Sequence, residues 1–263
     1  MVRGHSIPFD YRQSHVNPGK GSRYDALYSP GSALAFYWDH IERPYLEAQF
    51  GKVKQARPDG RYLDFACGTG RILEVGAAYF GDATGIDVSE TMSELARAKV
   101  PSARIVRVDV LKEPVDVGTF DVITLFRFLL RAGDLRGDVL EWLRAVIRDD
   151  GLLIVNNHRN AHSIRGILYR IGHWIHPDPF GSELLTDRQV AAMVRRCGFE
   201  VVEEYGFGSV PSYRGSLIVP ARVLMALERR LTGSGRTAHF AKNRIYVCRP
   251  IVGSASAPAA APL

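Results

Sequence analysis

The chain has 263 residues, 46% hydrophobic, 10% aromatic and 24% charged, with a formal net charge of +6. That is enough apolar material for one large α/β domain, and the basic excess lies in scattered arginines rather than runs, which favours anions in general without marking a nucleic-acid footprint. Cys67, Cys197 and Cys248 are odd in number and far apart, with no CxxC and no histidine at metal-ligand spacing, which excludes a disulfide framework and a zinc ribbon and suits a reducing cytoplasm. The opening MVRGHSIPFDYRQSH lacks the apolar core of a signal peptide, and no apolar run approaches the ~20 residues of a membrane span. A soluble, cytoplasmic protein without a metal is expected.

In chain order, residues 1–23 are polar and rich in Gly, Pro and His; they read as a flexible arm that orders over a ligand, or as an ordinary loose terminus. From Tyr24 to Phe50 apolar residues recur at helical spacing, interrupted by Pro30 and Pro44, so 24–57 is expected to form a cap of two or three short helices. The domain proper is expected over 58–250. It opens with Tyr62-Leu63-Asp64-Phe65-Ala66, a short buried strand that Gly68-Thr69-Gly70 breaks into a turn before a helix through Ile72, Leu73 and Val75 to Ala78. Strands at 83–89, 103–110 and 120–126 follow, alternating with helical patterns such as ETMSELARAKV, which implies βαβ units and a parallel sheet. The helix DVLEWLRAVI leads through RDDG into a fifth strand at 151–158, whose Leu, Ile and Val suit burial on both faces.

Beyond it, 159–183 mixes His, Arg, Trp and Pro and reads as an irregular loop over the mouth of the sheet. The helix TDRQVAAMVRRCG is capped by Thr186 and stopped by Gly198. A sixth strand, FEVVEEYGFG, precedes a helical insertion within 212–240, where ARVLMALERRL turns Val223, Leu224, Leu227 and Leu231 toward the sheet or a second copy. RIYVCRP is the last strand, and 251–263 has the composition of disorder.

A strand, a tight turn and a helix N-terminus make a cradle for a nucleotide cofactor. The turn alone is weak evidence, because Leu73 stands where GxGxxG has its third glycine; that gap argues against a nicotinamide dehydrogenase. In Asp64-x-Ala66-x-Gly68-x-Gly70 the missing side chains let a ligand lie against backbone amides, and Asp64 suits an ammonium group. Asp87 ends the second strand, where an acid accepts hydrogen bonds from both hydroxyls of a ribose. Asp109, followed by Val110, ends the third, where a carboxylate accepts from an adenine amino group. The three acids stand at successive strand ends and form one rim.

These residues resemble class I S-adenosylmethionine-dependent methyltransferases of the bacterial small-molecule type. LDFACGTGR, GIDVSETM, VDV and FDVITLFRFLL match the family's motifs in order and spacing, from Tyr62 to Asn157. The resemblance implies an α/β, Rossmann-like fold: a seven-stranded, mostly parallel sheet with the last strand antiparallel, helices on both faces and an N-terminal helical cap. It implies S-adenosyl-L-methionine as cofactor and S-adenosyl-L-homocysteine as product. Asp64, Ala66, Cys67, Gly68 and Gly70 would lie along the methionine and ribose, and Asp87 on the ribose hydroxyls. Val88 and Met92 would pack on adenine, with Asp109 and Val110 at its edge and Phe126 and Arg127 near the sulfonium. For Met92, simple burial on an amphipathic helix is an equal reading. Ala66 departs from the family's usual glycine, a change expected to leave the turn intact.

Methyl transfer from a sulfonium is an in-line displacement, so positioning and desolvation supply much of the acceleration, and a base is needed only when the acceptor must lose a proton. Candidate catalytic groups follow the fifth strand: His158 first, then Arg159 and His162, with Arg165 close by; solvated loop residues are the plainer reading. Tyr24, Tyr28, His173 and His176 are candidates for substrate contact, with helix packing or an aromatic-faced lid as alternatives. The Asn/Asp-Pro-Pro-Tyr/Phe motif of amino-methylating enzymes is absent, Thr124-Leu125-Phe126-Arg127 standing in its place. So are the paired glutamates of protein-arginine methyltransferases and the acidic cluster of catechol-type enzymes. A monomeric or homodimeric enzyme acting on a metabolite, sugar or natural product remains, with a hydroxyl acceptor preferred over amine or carbon. The alternatives are a non-catalytic protein that kept the cofactor fold and an RNA methyltransferase, which would need a basic, aromatic-lined surface.

Overall fold

Seven segments pair into one sheet: β1 (Arg61–Phe65), β2 (Asp82–Asp87), β3 (Arg104–Arg107), β4 (Phe120–Leu125), β5 (Ile147–Asn157), β6 (Phe199–Phe207) and β7 (Asn243–Pro250). The computed structural model describes residues 20–130, 132–175, 183–210, 212–213, 216–217, 219–231 and 236–253. The order is β3-β2-β1-β4-β5-β7-β6, with β1 to β5 parallel and β7 antiparallel to both its neighbours. This is the Rossmann-like arrangement expected. The helices are α1 (Lys20–Ala26), α2 (Ala33–Tyr37), α3 (Arg43–Ala56), α4 (Arg71–Ala77), α5 (Glu90–Lys99), α6 (Leu135–Val146), α7 (Ile164–Ile175), α8 (Asp187–Arg196) and α9 (Ala221–Leu231).

Strand residues alternate between two cores because successive side chains point to opposite faces. Leu63, Ile123, Leu153 and Val155 pack with Leu140 and Leu143 of α6 and Val190 and Val194 of α8. Tyr62, Val122 and Ile154 face the other way, against Leu46 and Phe50 of α3 and Ile72 and Val75 of α4. Tyr62 lies so close to α4 that a Cβ added at Gly76 would stand 2.0 Å from its Cε1. Gly76→Ala is therefore expected to lower unfolding stability by about 1–3 kcal/mol. Urea titration checks this, and an unchanged midpoint would mean that α4 can lift off the ring without cost.

Several boundaries differ from expectation. A helix starts at Lys20, inside the segment read as an arm, while 1–19 and the tail from 254 lie outside the described residues. Pro44 does not interrupt the cap. A π turn over Trp38–Glu42 joins α2 to α3, the Arg43 amide bonding back to Trp38, and the proline falls in the first turn of α3, where its missing N–H is least costly. β3 stops at Arg107, which releases Val108, Asp109 and Val110 from the sheet. β5 begins at Ile147, so RDDG belongs to the strand, across a register shift against β4.

The loop expected over 159–183 contains α7. Its start is fixed by Ser163, whose hydroxyl accepts from the Gly166 amide at 3.0 Å, and by Asn160, whose amide donates to the carbonyls of His239 (2.7 Å) and Ala241 (3.0 Å). Its apolar side chains Ile164, Ile167, Leu168 and Ile171 stand at helical spacing yet are 41–61% exposed, so the stripe is not buried in a core among the described residues. In α9 the buried side is Leu224 and Glu228, while Val223 and Leu227 are exposed. Glu228 faces inward because its carboxylate accepts from the Tyr37 hydroxyl and the amides of Gly208 and Val210. Among the described residues no helix is long and apolar enough to cross a membrane.

Candidate active site

The strand ends of β1, β2 and β4 open into a cavity of about 160 Å³. Asp64 sits at its floor. Register places it beside Gly85, which has no side chain, and Thr124, whose hydroxyl donates to Asp64 Oδ1 at 2.7 Å while lying 2.7 Å from the Tyr62 hydroxyl. Asp64 is 1% exposed, and its Oδ2 has no partner among the described residues. Burial pushes its carboxyl up to about 7, against the opposing pull of the Thr124 hydrogen bond and the Arg71 charge.

The turn above it runs through left-handed backbone at Ala66 (φ 56°), Gly68 (φ 56°) and Gly70 (φ 82°). Ala66 adopts the conformation that suits glycine, at a cost of roughly 1–2 kcal/mol, so the turn forms with alanine but under strain. Asp87, buried, holds the turn from below: its Oδ2 accepts the Gly68 amide and its Oδ1 the Ser89 amide, both at 2.8 Å. Ser89 caps α5 through the Met92 amide, and Met92 is both buried and part of the cavity wall. Ala66, Cys67, Gly68, Val88, Asp109, Val110, Phe126 and Arg127 also line the cavity. Gly70 does not; it is glycine because a Cβ there would lie 3.2 Å from the Ala96 Cα, where α4 crosses α5.

The N-terminal helices roof this cavity. Tyr24 lines it and packs against Tyr28 with ring centroids 5.7 Å apart. The Arg71 guanidinium stands 4.2 Å from the Tyr28 centroid and 4.1 Å from that of Trp38, and Arg127 stands 5.3 Å from Tyr28. Glu42, buried, lies 3.5 Å from Arg71 Nη1. The Nε atoms of Arg71 and Arg127 and the Tyr28 hydroxyl are buried without partners among the described residues. Burial pushes the Tyr24 phenol up, but Arg127 and Arg71 more than offset it and leave the group lowered. α1 is fastened by Asp25, which accepts from the Thr69 hydroxyl at 2.6 Å and lies 3.5 Å from Lys99 Nζ. Arg127 holds a left-handed backbone (φ 57°) at the end of β4.

His158, Arg159 and His162 do not line the cavity, and Tyr28 packs behind Tyr24 rather than lining it. The His173 side chain and all of His176 lie outside the described residues. His162 packs against His239 with the rings tilted by 45° and their centroids 4.5 Å apart, and His239 Nδ1 is 2.5 Å from Asp187 Oδ2. Burial and the neighbouring His239 lower the His162 pKa. The donor atoms of His162, Asp187 and His239 lie within 4.8 Å of one another. Asp187 Oδ1, however, already accepts from the Tyr246 hydroxyl (2.6 Å) and Arg244 Nε (3.1 Å), so this group works as a junction between α8 and β7. His162→Ala is expected to leave S-adenosylhomocysteine affinity unchanged in calorimetry; a marked loss would bring the junction into the cavity's function. Arg71 and Thr124, which carry much of the cavity's polarity, were not singled out from the sequence. Arg71 ends CGTGR in plain view, but only the position of the cap reveals its partners.

Residues 38–204 match the family model described as a methyltransferase domain, and the chain belongs to that family. Its fold is that of the class I S-adenosylmethionine-dependent methyltransferases. The chain is 33% identical over 182 residues to the dTDP-4-amino-2,3,4,6-tetradeoxy-D-glucose N,N-dimethyltransferase of Saccharopolyspora spinosa, covering 69% of this chain and 65% of that one. Its fold is similar to magnesium protoporphyrin IX methyltransferase from Synechocystis PCC 6803 with bound S-adenosylhomocysteine (TM-score 0.61, 15% identity, 90% of this chain and 97% of that one). The DhpI–SAM–HEP complex is likewise similar (TM-score 0.57, 14% identity, 95% and 100%). The chain spans 42%, 56% and 65% of the length of three curated relatives that it matches.

Proposed function

We propose that the protein methylates a small-molecule acceptor, a metabolite, sugar or natural product, at a hydroxyl or amine. The observation that carries this reading is the roof: Tyr24 lines the cavity from the N-terminal helices, and Tyr28 and Trp38 pack on Arg71 beside it, which leaves a chamber suited to a small acceptor. The dimethyltransferase relative, whose name specifies an amino sugar, supports an acceptor of this size and adds weight to an amine.

The cavity fits the donor in polarity as well as shape. The free Oδ2 of Asp64 suits the donor's ammonium, and the unpartnered Arg71 Nε suits its carboxylate. Asp87 takes the ribose hydroxyls, Val88, Met92 and Val110 pack on the adenine, and Asp109 accepts at its edge. When bound, the donor supplies an electrophilic methyl group on a sulfonium. The protein's part is to fix that methyl at the mouth of β4, beside Phe126 and Arg127, and to keep water out.

The test is incubation with labelled methyl donor and panels of small amines, hydroxyl compounds and sugar nucleotides, with bulk RNA and peptides alongside. Transfer to a member of the small-molecule panels is expected. Transfer to RNA or peptide alone overturns the reading, and tight donor binding with no transfer anywhere favours a non-catalytic role.

A further inference from the structure

Outside the donor cavity the fold gathers His162, Asp187 and His239, which come from three distant segments. His162 stands just before α7, Asp187 opens α8, and His239 lies in a 3-10 turn over Arg236–Phe240 that leads toward β7. One buried side chain fixes the backbone of both histidines. Asn160 Oδ1 accepts the His162 amide at 3.1 Å, and Asn160 Nδ2 donates to the His239 carbonyl at 2.7 Å. One donor atom from each of the three side chains then falls within 4.8 Å of the other two.

Asp187 is oriented from behind. Its Oδ1 accepts from the Tyr246 hydroxyl and Arg244 Nε, and its Oδ2 faces His239 Nδ1 at 2.5 Å. Hydrogen bonds that pin one oxygen of a carboxylate while the other faces imidazole nitrogens are the supporting contacts of a metal ligand. Arg244 is shared between Asp187 and Glu204, so two carboxylates answer one guanidinium. Arg170 and Arg188 also act on His162, but both are exposed, where water and salt screen them. The Nδ1 atom of His162 is buried and has no partner among the described residues. Burial and the neighbouring His239 lower the pKa of that ring, so at neutral pH it offers a lone pair.

We propose that His162, Asp187 and His239 bind one divalent transition-metal ion of the zinc class, which ties the start of α7 to the junction of α8 and β7. Two imidazoles and a carboxylate suit Zn2+, whereas Mg2+ and Ca2+ take oxygen ligands. Ligands ~2.1 Å from a tetrahedral ion stand about 3.4 Å from one another. The His239 side chain, 42% exposed, can turn to close the remaining gap without disturbing the core. No motif announces the site, because its ligands stand at 162, 187 and 239 with no local spacing between them. None of the three lines the donor cavity, so the site stands whatever the acceptor is.

The experiment is calorimetric titration of the full chain, free of any histidine tag, with Zn2+ and with Mg2+. His162→Ala and His239→Gln are run beside the natural sequence, with His40→Ala, an exposed histidine of the cap, as the control. The parent and His40→Ala are expected to bind one Zn2+ per chain, and both site variants to bind it about tenfold or more weakly. Zn2+ is expected to raise the melting temperature of the parent but not of the site variants, and Mg2+ to move none of them. The visible absorption of Co2+ added to the parent reports nitrogen ligation and does not depend on how well a variant folds. Absent Zn2+ binding, parent-like binding by either site variant, an equal response to Mg2+, or a Co2+ spectrum of the hydrated ion overturns the proposal.

Discussion

Replacing Asp87 by alanine is expected to lower the affinity for S-adenosylhomocysteine by about a hundredfold or more while the protein stays folded. Two effects add. The carboxylate is the expected acceptor for both ribose hydroxyls, each a charge-assisted hydrogen bond worth about 1.5–3 kcal/mol. It also holds the Gly68 and Ser89 amides at 2.8 Å, so its loss loosens the turn against which the ligand lies. Orphaning those two amides lowers the melting temperature without removing the core. Asp87→Asn keeps one acceptor oxygen and is expected to fall between parent and alanine variant. Calorimetry with thermal denaturation reads both quantities, and full binding by the alanine variant would sink the ribose assignment.

The second large effect is a pH dependence centred on Asp64. Its folded pKa, about 7, lies above its ordinary value of 3.8. The native carboxyl thus keeps a proton that the unfolded chain has released, and native stability falls as pH rises between those two values, by ~4 kcal/mol in all. Ligand binding runs the other way, because the ammonium of S-adenosylhomocysteine pairs with the ionised carboxylate. Its affinity is expected to rise about tenfold per pH unit below pH about 7 and to level off above it. The groups that face Asp64 are the Thr124 hydroxyl, the Leu73 amide, Arg71, Asp87, Tyr62 and Cys67. Asp64→Asn should flatten both profiles, and an unchanged slope in the variant would assign the titration to another group.

The sheet was legible in the sequence because its signals are local. The Gly68 and Gly70 turn, Asp87 at the end of β2 and Thr186 at the start of α8 each act on neighbours within a few residues. The features that escaped depend on distant chain segments. Arg71 has its role only because the turn after α1 brings Tyr28 over it, and Thr124 only because register sets it beside Asp64. His158 and His162 follow β5, where a catalytic group would be sought. Asn160, however, is tied to carbonyls at 239 and 241, which draws the chain toward β7 and away from the cavity. α7 could have been read, since Ile164, Ile167, Leu168 and Ile171 fall at helical spacing opposite Arg165 and Arg170; the His, Trp and Pro that follow outweighed that pattern.

The fastening of α1 has a kinetic meaning. The helix covers the cavity through Tyr24 and is held mainly by Asp25, on Thr69 at 2.6 Å and Lys99 at 3.5 Å, and by its turns against α5, where a Cβ at Gly21 would meet Leu95 at 2.4 Å. Thr69 belongs to the same glycine turn that cradles the ligand. A ligand leaving past Tyr24 would part contacts that also steady its own binding turn, so opening of the first helix and loosening of that turn are coupled through the Thr69 hydroxyl.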